Sequence, residues 1–551
     1  GRIDEIHEKL YFDEMRGNLG VVHSRWSTHG EPSQINAHPH LSCDGKIAVV
    51  HNGIVSNNYE LKERLEKSGH KFVSETDTEV FAHLIEEYCN SDFEQALRLA
   101  LQKIKGTYAL AIISIHSPDK LFLARNESPL VIGIGTNGMY AGSDIASFLD
   151  YTNKAVPLND GEYAILIRNG YTIRNITSGS TVSREPMIIT WTAEMAEKEG
   201  YEHFMLKEIH EQPRTIREAQ NVYAEDIQKL AKMINEAKRI YIIGVGTSFY
   251  AALVAEYWFS RISKVPVQAI DSCEFESKAV VEDGVLAIGI TQSGETYDTL
   301  AAMRYAKRKG AKLAVIVNVI GSTATREADH VILQGSGLEI AVCATKTFAG
   351  QLTILFRTAL ELAKIKQTIS NEEINALTKE LNKIPVYIEI FLREQGDFVK
   401  KVAEKECDVE NYIFLSQGVN FPLALEGALK FKEITYLYAE GMPSGFLKHG
   451  TISLIDTNIH TIVLVPPSGS VTYPKILSSI EEVKARGGKV IAISADPIKK
   501  ADANILVSKT NELLTPFVFA PAVQLLAYYV AVKLGRDVDK PRHLAKSVTV
   551  E

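Results

Sequence analysis

A charged stripe along an otherwise apolar helix is the first feature of this sequence that could perform chemistry. Glu426, Lys430 and Glu433 recur at spacings of four and three residues, which aligns them on one helical face, and most other positions from 422 to 434 are apolar. Such a helix is buried, so its charges must face a partner or a cavity. The pattern favours acid/base chemistry by Glu433 beside a lysine that sets its charge state; a surface ladder of ion pairs is the alternative.

Two further side chains downstream have suitable chemistry. His449 lies in the segment GFLKHG, and the ordinary pKa of histidine suits proton transfer near neutrality; a structural turn histidine is the alternative. Lys546 lies in the tail DKPRHLAKSVTVE, where a frayed terminus is the usual structure. A lysine buried in an active site can instead form a Schiff base with a carbonyl compound.

Two turns rich in glycine and hydroxyl side chains predict a site for a small phosphate ester. GVGTS (244–248) and TQSGET (291–296) each lie between an apolar strand and a helix, where free backbone N–H groups favour an anion. Neither turn matches a Walker or dinucleotide pattern, and helix caps with tight turns are the alternative. The related turn PPSGSVT is poorer in hydroxyls, so we place the phosphate at the first two turns. The predicted contributors are Gly246, Thr247, Ser248, Thr291, Ser293, Gly294 and Thr296.

The elements that must position these groups form an internal repeat. The segments 239–259 and 411–431 each predict an apolar strand, a small-residue turn and a helix, and the segments 285–318 and 461–494 form a second matching pair. This pattern indicates two copies of one α/β unit with parallel sheets. Residues 1 to about 185 are instead strand-rich and predict an α+β region, with one helix in SETDTEVFAHLIEEYC capped by Thr76 or Asp77.

Composition narrows the class of protein. The chain has 551 residues, 45% of them hydrophobic. Its net charge of −8 argues against nucleic-acid binding, which requires a basic surface. Its five cysteines are scattered without a CxxC pair, which fits a reducing compartment and predicts no metal site. The charged N-terminus does not resemble a signal peptide. The apolar segment 513–535 contains two prolines and predicts a buried strand and helix rather than a membrane span, so we expect a cytoplasmic protein.

Seven motifs, in order along the chain, resemble the glutamine–fructose-6-phosphate aminotransferase family: HSRWSTHGEPSQINAHPH, VVHNGIVSNN, SETDTEV, ITQSGET, ALEGALKFKEITY, LKHG and LAKSVTVE. The resemblance implies a mixed α/β and α+β architecture. Its parts would be an Ntn-type glutamine amidotransferase domain (1–195), a linker (196–230), two SIS domains that are parallel αβα sandwiches (231–375 and 400–535) and an active-site tail (536–551). It also implies that fructose 6-phosphate and glutamine give glucosamine 6-phosphate and glutamate, the first step of hexosamine biosynthesis, without a cofactor or metal.

The resemblance assigns roles to residues at matching positions. Lys546 would form an imine with the sugar, Glu433 would move a proton between its C1 and C2 atoms, and His449, reaching in from a neighbouring subunit, would assist ring opening. Lys430 would belong to the same catalytic group. The expected sugar-phosphate contacts are the turn residues above together with Gln292, Val342, Glu426 and Ala545. The expected glutamine contacts are Arg25 on the carboxylate, Asp77 on the amino group, Asn52 and Gly53 as oxyanion donors, the gating residue Trp26, and its neighbours Thr28 and His29.

Three departures from the family's pattern are visible. Thr291 replaces a serine, and the loop 441–451 carries Phe446 and Thr451 in place of the usual glutamate and proline. The family's glutaminase uses a cysteine at the start of the mature chain, whereas this sequence begins with Gly1, and its first cysteine, Cys43, lies in a predicted turn outside the matched positions. We therefore expect an N-terminally incomplete glutaminase domain and a competent isomerase half.

Other functions stay open on the sequence. An amino-sugar-phosphate deaminase or isomerase would use similar groups, and a SIS-type phosphosugar-binding regulator would keep the phosphate site. A regulator would not need Glu433, His449 and Lys546 together, which favours an enzyme. We expect small-molecule substrates, no nucleic acid or membrane partner, and a homodimer or higher homo-oligomer.

Overall fold

The computed structural model describes residues 7, 11, 14–25, 30–89, 92–189 and 197–549. By their internal contacts these residues belong to two units, Gly1–Glu194 with Thr549–Glu551, and Met195–Val548. The boundary coincides with the predicted change from a strand-rich region to an α/β repeat.

The first unit is built on antiparallel sheets, as expected for alternating short strands joined by turns. A seven-stranded sheet has the order β1-β2-β3-β4-β8-β9-β10, and a four-stranded sheet has the order β11-β7-β5-β6. The strands are β1 His40–Leu41, β2 Ile47–Val55, β3 Gly106–Ser114, β4 Leu121–Asn126, β5 Val131–Ile134, β6 Met139–Gly142, β7 Lys154–Pro157, β8 Glu162–Ile167, β9 Gly170–Asn175, β10 Thr181–Val182 and β11 Met187–Ile188. The helices are α1 Asn58–Lys67, α2 Glu79–Tyr88 and α3 Phe93–Leu101.

Both faces of the seven-stranded sheet are buried. One face packs its alternate residues, such as Val49 and Leu110, against the apolar faces of the three helices. The opposite residues, such as Ala109 and Leu123, form a second core with Ile132 and Val156 of the smaller sheet. The α+β region predicted from the sequence is thus a helix layer and two sheet layers.

The predicted cap of helix α2 is wrong. The helix begins at Glu79 with Thr78 at its N-cap, and that residue makes no side-chain capping bond. Asp77 instead accepts a hydrogen bond from the backbone N–H of Val55 at 2.7 Å. Glu79 accepts the N–H groups of Val73 and Ser74 at 2.8 and 2.7 Å. The carboxylates of Asp77 and Glu79, which the sequence pattern assigns to the helix terminus, therefore bond to backbone N–H groups outside the helix.

The second unit contains the predicted repeat. Each copy has a five-stranded parallel sheet in which the second strand along the chain lies at the edge: β13-β12-β14-β15-β16 and β18-β17-β19-β20-β21. The strands are β12 Arg239–Gly244, β13 Gln268–Asp271, β14 Val285–Thr291, β15 Lys312–Val317, β16 His330–Leu333, β17 Asn411–Ser416, β18 Tyr438–Pro443, β19 Ile459–Leu464, β20 Lys489–Ser494 and β21 Ala503–Leu506. Sheets of this kind carry helices on both faces and place ligand sites at the carboxyl ends of the strands.

Sixteen helices are described in the two units. Those of the second unit are α4 Phe204–His210, α5 Gln212–Gln220, α6 Ala224–Glu236, α7 Thr247–Trp258, α8 Phe275–Lys278, α9 Tyr297–Arg308, α10 Thr323–Glu327, α11 Lys346–Lys366, α12 Asn371–Leu381, α13 Ile384–Lys405, α14 Phe421–Thr435, α15 Tyr473–Lys484 and α16 Thr515–Lys533. One continuous core joins the facing sides of the two sheets through α7, α11, α13, α14 and α16. Separate cores lie under α9 on one sheet and under α15 on the other.

Two expectations change in this unit. The segment 513–535 contains no strand: a short 3₁₀ turn, Glu512–Leu514, leads into α16, which is long and apolar enough to cross a membrane but has 89% of its most apolar window buried inside the protein. The segment expected as a linker forms α4 to α6, whose Met205, Ile209 and Ile216 are buried in the core of the second unit.

Candidate active site

The two glycine-containing turns lie side by side because β12 and β14 are neighbouring parallel strands. Gly246 has a φ of 55° and Gly294 a φ of 70°, which favours glycine. A Cβ on Gly294 would lie 2.1 Å from the hydroxyl of Ser322, so no side chain fits there. The turns deliver the N-termini of α7 and α9 to one edge of the sheet, as an anion site requires.

Hydroxyl groups surround these helix N-termini. The hydroxyl of Ser293 accepts hydrogen bonds from the backbone N–H of Glu295 at 3.1 Å and the hydroxyl of Ser547 at 3.0 Å. Thr296 lies 3.4 Å away, oxygen to oxygen. Thr291 accepts the N–H of Gly294 at 3.1 Å. The structure therefore brings together the hydroxyls predicted on the second turn.

The first turn contributes Thr247 and Ser248. The hydroxyl of Ser248 accepts a hydrogen bond from the side-chain N–H of Gln351 at 3.0 Å. The other side-chain atom of Gln351, its Oε1, is buried and has no hydrogen-bond partner among the described residues. Such an atom is commonly paired by an ordered water, an ion or a bound molecule. Gln292 borders the second turn, and its carbonyl accepts the N–H of Asn318 at 3.1 Å.

The charged stripe on α14 faces the first repeat. The side chains of Glu426 and Lys430 are fully buried, and that of Glu433 is 21% exposed. Lys430 Nζ lies 2.5 Å from a Glu433 carboxylate oxygen and 3.6 Å from Glu426 Oε1. Thr247 donates its hydroxyl to the same Glu426 oxygen at 3.3 Å. The stripe is therefore an internal ion-pair network between the two repeats, not a surface ladder.

Burial and the neighbouring charges shift the pKa values of Glu426 and Lys430. Burial raises the pKa of Glu426 to about 7, although Lys430 opposes the shift. Burial alone would lower the pKa of Lys430, but the carboxylates of Glu426 and Glu433 outweigh it and raise that pKa above its ordinary value. Lys430 is thus a fixed positive charge, 2.5 Å from a carboxylate oxygen of Glu433.

The tail runs into the same site. Lys546 Nζ donates hydrogen bonds to the buried Glu339 at 2.6 Å and to the carbonyl of Ala341 at 2.8 Å. The carbonyl of Val548 accepts the N–H of Tyr297, the first residue of α9, at 2.9 Å. The described part of the tail is therefore bonded to the anion turn and is not frayed. Ala545 is half-buried next to the lysine.

The loop between β16 and α11 supplies residues that the sequence analysis missed. Glu339 accepts the N–H groups of Thr345 and Thr347 at 2.9 and 3.2 Å, so its carboxylate is held in place. Burial raises the pKa of the Cys343 thiol, and the neighbouring Glu433 adds to that shift. Val342 donates its N–H to the carbonyl of Asp539 at 3.0 Å. The one feature of the sequence that points to this loop is its glycine-containing segment, 335–346, which follows the last strand of the sheet.

His449 is not brought into this network within one chain. It is exposed at the end of the 3₁₀ segment Ser444–His449, and its ring lies 6.2 Å from that of Phe446. In the described part of the chain it forms no hydrogen bond or ion pair with Lys430, Glu433 or Lys546. The expectation that it acts from a neighbouring subunit stays a prediction.

A second group of predicted residues lies in the first unit. Asn52 Oδ1 accepts a hydrogen bond from His23 Nε2 at 2.7 Å, which orients the amide on β2. Gly53 has a φ of 139°, and a Cβ there would lie 2.1 Å from the carbonyl oxygen of Thr107. Asp77 is buried, and Arg25 donates to the carbonyl of Gly30 at 3.0 Å. Trp26, Thr28 and His29 lie outside the described residues.

Four histidines around these residues were not assigned roles from the sequence. The rings of His23 and His38 stack at 4.2 Å, and that of His40 lies 4.8 Å from His38. Burial lowers the pKa of His38 to about 2 and that of His40 to about 4, so both rings are neutral at physiological pH. His51 bonds to the hydroxyl of Thr78 at 2.9 Å. These neutral rings form a cluster of polar groups that can donate and accept hydrogen bonds without adding charge.

Comparisons with known families divide the chain in the same way. A glutamine amidotransferase domain model matches residues 23–150, and a SIS domain model matches residues 233–360 and 408–534. The glutamine–fructose-6-phosphate aminotransferase (isomerizing) of Methanococcus maripaludis is 52% identical over 562 residues, which cover all of this chain and 92% of that protein.

The chain belongs to this aminotransferase family. The relative of the same name from Methanocaldococcus jannaschii is 54% identical over 97% of this chain, which spans about half of that protein's length. A solved C-terminal domain of glucosamine-fructose-6-phosphate aminotransferase from Francisella tularensis matches 62% of this chain and all of its own, with a TM-score of 0.59 and 35% identity. The predicted fold class, an amidotransferase domain followed by two SIS domains, is confirmed.

Proposed function

We propose that this protein makes glucosamine 6-phosphate from fructose 6-phosphate and glutamine. Glutamine and water would give glutamate and ammonia in the first unit; ammonia and fructose 6-phosphate would give glucosamine 6-phosphate and water in the second. The observation that carries the proposal is the convergence of an anion turn, a lysine–carboxylate pair and a second lysine from three separate parts of the chain. Relatives at about half identity carry the name of this reaction.

In the proposed sugar site, the hydroxyls around Ser293 bind the phosphate. Lys546 attacks C2 of the open-chain ketose, and loss of water gives an imine. Ammonia displaces the lysine and leaves the C2 imine of the sugar. Glu433 then takes a proton from C1 and returns it to C2, while the proton of the C1 hydroxyl passes to the imine nitrogen, which gives the C1 aldehyde and the C2 amine. The fixed charge of Lys430 keeps Glu433 ready to accept that proton.

The pairing of Lys546 with Glu339 bears on the first step. Lys546 Nζ is held by hydrogen bonds to the buried Glu339 at 2.6 Å and to the carbonyl of Ala341 at 2.8 Å, and it must leave these partners before it can attack a carbonyl. We propose that the arriving sugar phosphate displaces this pair, so the free amine forms only when substrate is present. Arg25, Asn52, Gly53 and Asp77 would bind glutamine in the first unit, and the nucleophile of that half stays a prediction.

The organisation of the protein is part of the same proposal. We propose an amidotransferase domain at 1–195, SIS domains at 231–375 and 400–535, and the tail at 536–551, joined through the helical segment 196–230. We also propose a cytoplasmic homodimer or higher homo-oligomer. Its support is that His449 is exposed and, in the described part of the chain, forms no hydrogen bond or ion pair with Lys430, Glu433 or Lys546. Light scattering of the purified protein tests this assembly, and a monomer at assay concentration would contradict it.

Glu433→Gln tests the proposed function most directly. The amide cannot accept the C1 proton, so we expect isomerisation and ammonia-dependent amination of fructose 6-phosphate to fall by about 10²- to 10⁴-fold. The assay measures glucose 6-phosphate formed without ammonia and glucosamine 6-phosphate formed with ammonium chloride. Glu481→Gln, an exposed carboxylate on α15, is the matched control and should keep both rates. Equal rates for the two variants would contradict the role of Glu433.

Ser293→Ala tests the phosphate site. Because the Ser293 oxygen already accepts hydrogen bonds from Glu295 and Ser547, its own hydrogen is available to a phosphate oxygen. A hydrogen bond to a charged group contributes about 1.5–3 kcal/mol, so we expect the KM for fructose 6-phosphate to rise at least about tenfold with a smaller change in kcat. Ser468→Ala, in the equivalent turn of the second repeat, is the control and should leave KM unchanged. A larger effect at Ser468 would move the phosphate site to the second repeat.

A further inference from the structure

Four side chains from three separate segments of the first unit converge, and none of them is a proposed glutamine contact. Cys43 lies in the turn between β1 and β2, His70 lies in the loop after α1, and His83 and Glu86 lie one turn apart on α2. One donor atom from each lies within 4.8 Å of all the others. We call these residues the Cys43 cluster.

Four of the six distances between the donor atoms are close to the edge lengths of a metal coordination tetrahedron. Cys43 Sγ lies 3.6 Å from His70 Nδ1 and 3.4 Å from His83 Nδ1. Glu86 Oε2 lies 3.2 Å from the first nitrogen and 3.5 Å from the second. Bonds of about 2.3 Å from zinc to sulfur and about 2.0–2.1 Å to nitrogen or oxygen, at tetrahedral angles, separate the donor atoms by roughly 3.3–3.6 Å. The other two separations, Sγ to Oε2 and Nδ1 to Nδ1, are within 4.8 Å, so the four atoms are close enough together to share one ion.

Hydrogen bonds among the four groups explain the geometry less well. Each histidine directs the same nitrogen, Nδ1, at both the sulfur of Cys43 and the carboxylate of Glu86. A single N–H on that nitrogen can serve one acceptor well at a time, and sulfur is a weak acceptor. A metal ion, in contrast, binds the lone pair of each nitrogen together with the sulfur and the oxygen.

The groups behind the cluster are arranged as metal ligands require. His83 Nε2 lies 3.3 Å from Glu79 Oε1, and Glu79 is itself held by the N–H and hydroxyl of Ser74 at 2.7 and 2.6 Å. A carboxylate behind a ligating histidine fixes its tautomer and raises its basicity.

The remaining two ligands are also held in place. Glu86 accepts the N–H groups of Cys43 and Asp44, each at 3.0 Å, one on each carboxylate oxygen. The sulfur of Cys43 accepts the N–H of Lys71 at 3.4 Å, which fixes its position. His83 is buried and Cys43 is exposed, so the cluster is anchored on one side and open to solvent on the other. An ion can therefore enter without unfolding of the unit.

We propose that Cys43, His70, His83 and Glu86 bind a structural Zn²⁺ ion. Mixed thiolate, imidazole and carboxylate donors suit zinc and do not suit Mg²⁺ or Ca²⁺, which prefer oxygen. Four protein ligands leave no position for a substrate, so the ion is structural. It ties the β1–β2 turn and the loop 69–73 to α2. This proposal does not depend on the proposed function, because none of its ligands is a proposed substrate contact.

A second acidic and histidine-containing group serves as an internal comparison. Glu406, Asp408 and His460 also lie within 4.8 Å of one another. Lys489 and Lys405, however, lie 2.9 and 3.1 Å from the carboxylate of Glu406. Two ammonium groups already compensate that carboxylate, and a cation would have to displace them. We therefore place the zinc ion at the Cys43 cluster.

The test uses the full chain, loaded with Zn²⁺ and desalted, with its metal content measured by mass spectrometry. We expect one zinc ion per chain. In competition with a chromophoric chelator, Cys43→Ser should weaken binding at least about 100-fold, because loss of a second-shell partner alone costs 10- to 100-fold. Cys273→Ser, another exposed cysteine, is the matched control and should bind as the unaltered chain does. His70→Asn repeats the test on a ligand from a different segment.

Cobalt substitution identifies the ligand directly. The Co²⁺ form should show a thiolate-to-cobalt charge-transfer band that is lost in Cys43→Ser and kept in Cys273→Ser. Thermal unfolding followed by circular dichroism confirms that each variant is folded before metal is added. A chain without bound zinc, or equal affinity for the unaltered chain and Cys43→Ser, would overturn the proposal. Zinc kept in Cys43→Ser but lost in Glu406→Gln would assign the metal to the other cluster and would overturn it too.

Discussion

Replacement of Lys546 by arginine is expected to lower ammonia-dependent formation of glucosamine 6-phosphate by more than about a thousandfold, the order of loss seen when a covalent nucleophile is removed. Arginine keeps the positive charge and can still pair with Glu339. Its guanidinium does not lose a proton in proteins, so it cannot condense with the C2 carbonyl. The expected defect therefore separates imine chemistry from electrostatic binding of the substrate.

Reductive trapping measures that step without product formation. Borohydride added to the protein with fructose 6-phosphate should give a covalent adduct on Lys546, visible in the intact mass and absent from Lys546→Arg. Lys540→Arg, an exposed lysine in the same tail, is the matched control and should be trapped and active. An adduct on Lys546→Arg, or activity within about tenfold of the unaltered chain, would remove Lys546 from the mechanism.

Replacement of Lys430 by methionine is expected to destabilise the second unit, by about 1.4 kcal/mol more at pH 8 than at pH 5, because loss of one partner leaves a buried charge without compensation. Burial already raises the pKa of Glu426 to about 7, and without Lys430 this pKa rises further. A carboxyl whose folded pKa lies above its unfolded value costs stability as the pH rises between the two. The defect should therefore be small near pH 5 and largest near pH 8.

Urea unfolding at the two pH values measures this dependence. The double variant Glu426→Gln with Lys430→Met should recover stability at pH 8 and lose the pH dependence, because no buried charge remains at position 426. Lys432→Met, on the exposed side of the same helix, should change stability by less than about 0.5 kcal/mol. A pH-independent defect in Lys430→Met would show that lost packing, not Glu426, causes it.

The parts of this fold that repeat local patterns were predictable. Apolar strands followed by small-residue turns placed Thr247 and Ser293 at equivalent edges, and the structure confirms both turns in one parallel sheet. The stripe on α14 was also visible, because helical spacing alone aligns Glu426, Lys430 and Glu433. In each case the information lies within about twenty residues of sequence.

Contacts between distant segments were not predictable from local patterns. Glu339 lies 207 residues before Lys546, and nothing in the spacing around either residue indicates that they pair. Asp77 was predicted to cap a helix and instead bonds to Val55 on a neighbouring strand. The scattered cysteines, with no CxxC pair, predict no metal site, whereas the two histidines beside Cys43 lie 27 and 40 residues away in the sequence. Tertiary structure, not sequence spacing, creates these groups.

The bond between Thr247 and Glu426 has a consequence for how a duplicated protein can evolve. One copy of the repeat keeps the anion turn, the other carries the acid/base helix, and their facing sides share a single core. The two copies have a common origin, but each supplies a different part of the site, as the two unlike chains of a heterodimer do. Cleavage of the chain within 371–405 would leave each fragment with only part of the site and with an exposed apolar surface. Neither copy is free to diverge, be lost or be exchanged without the other.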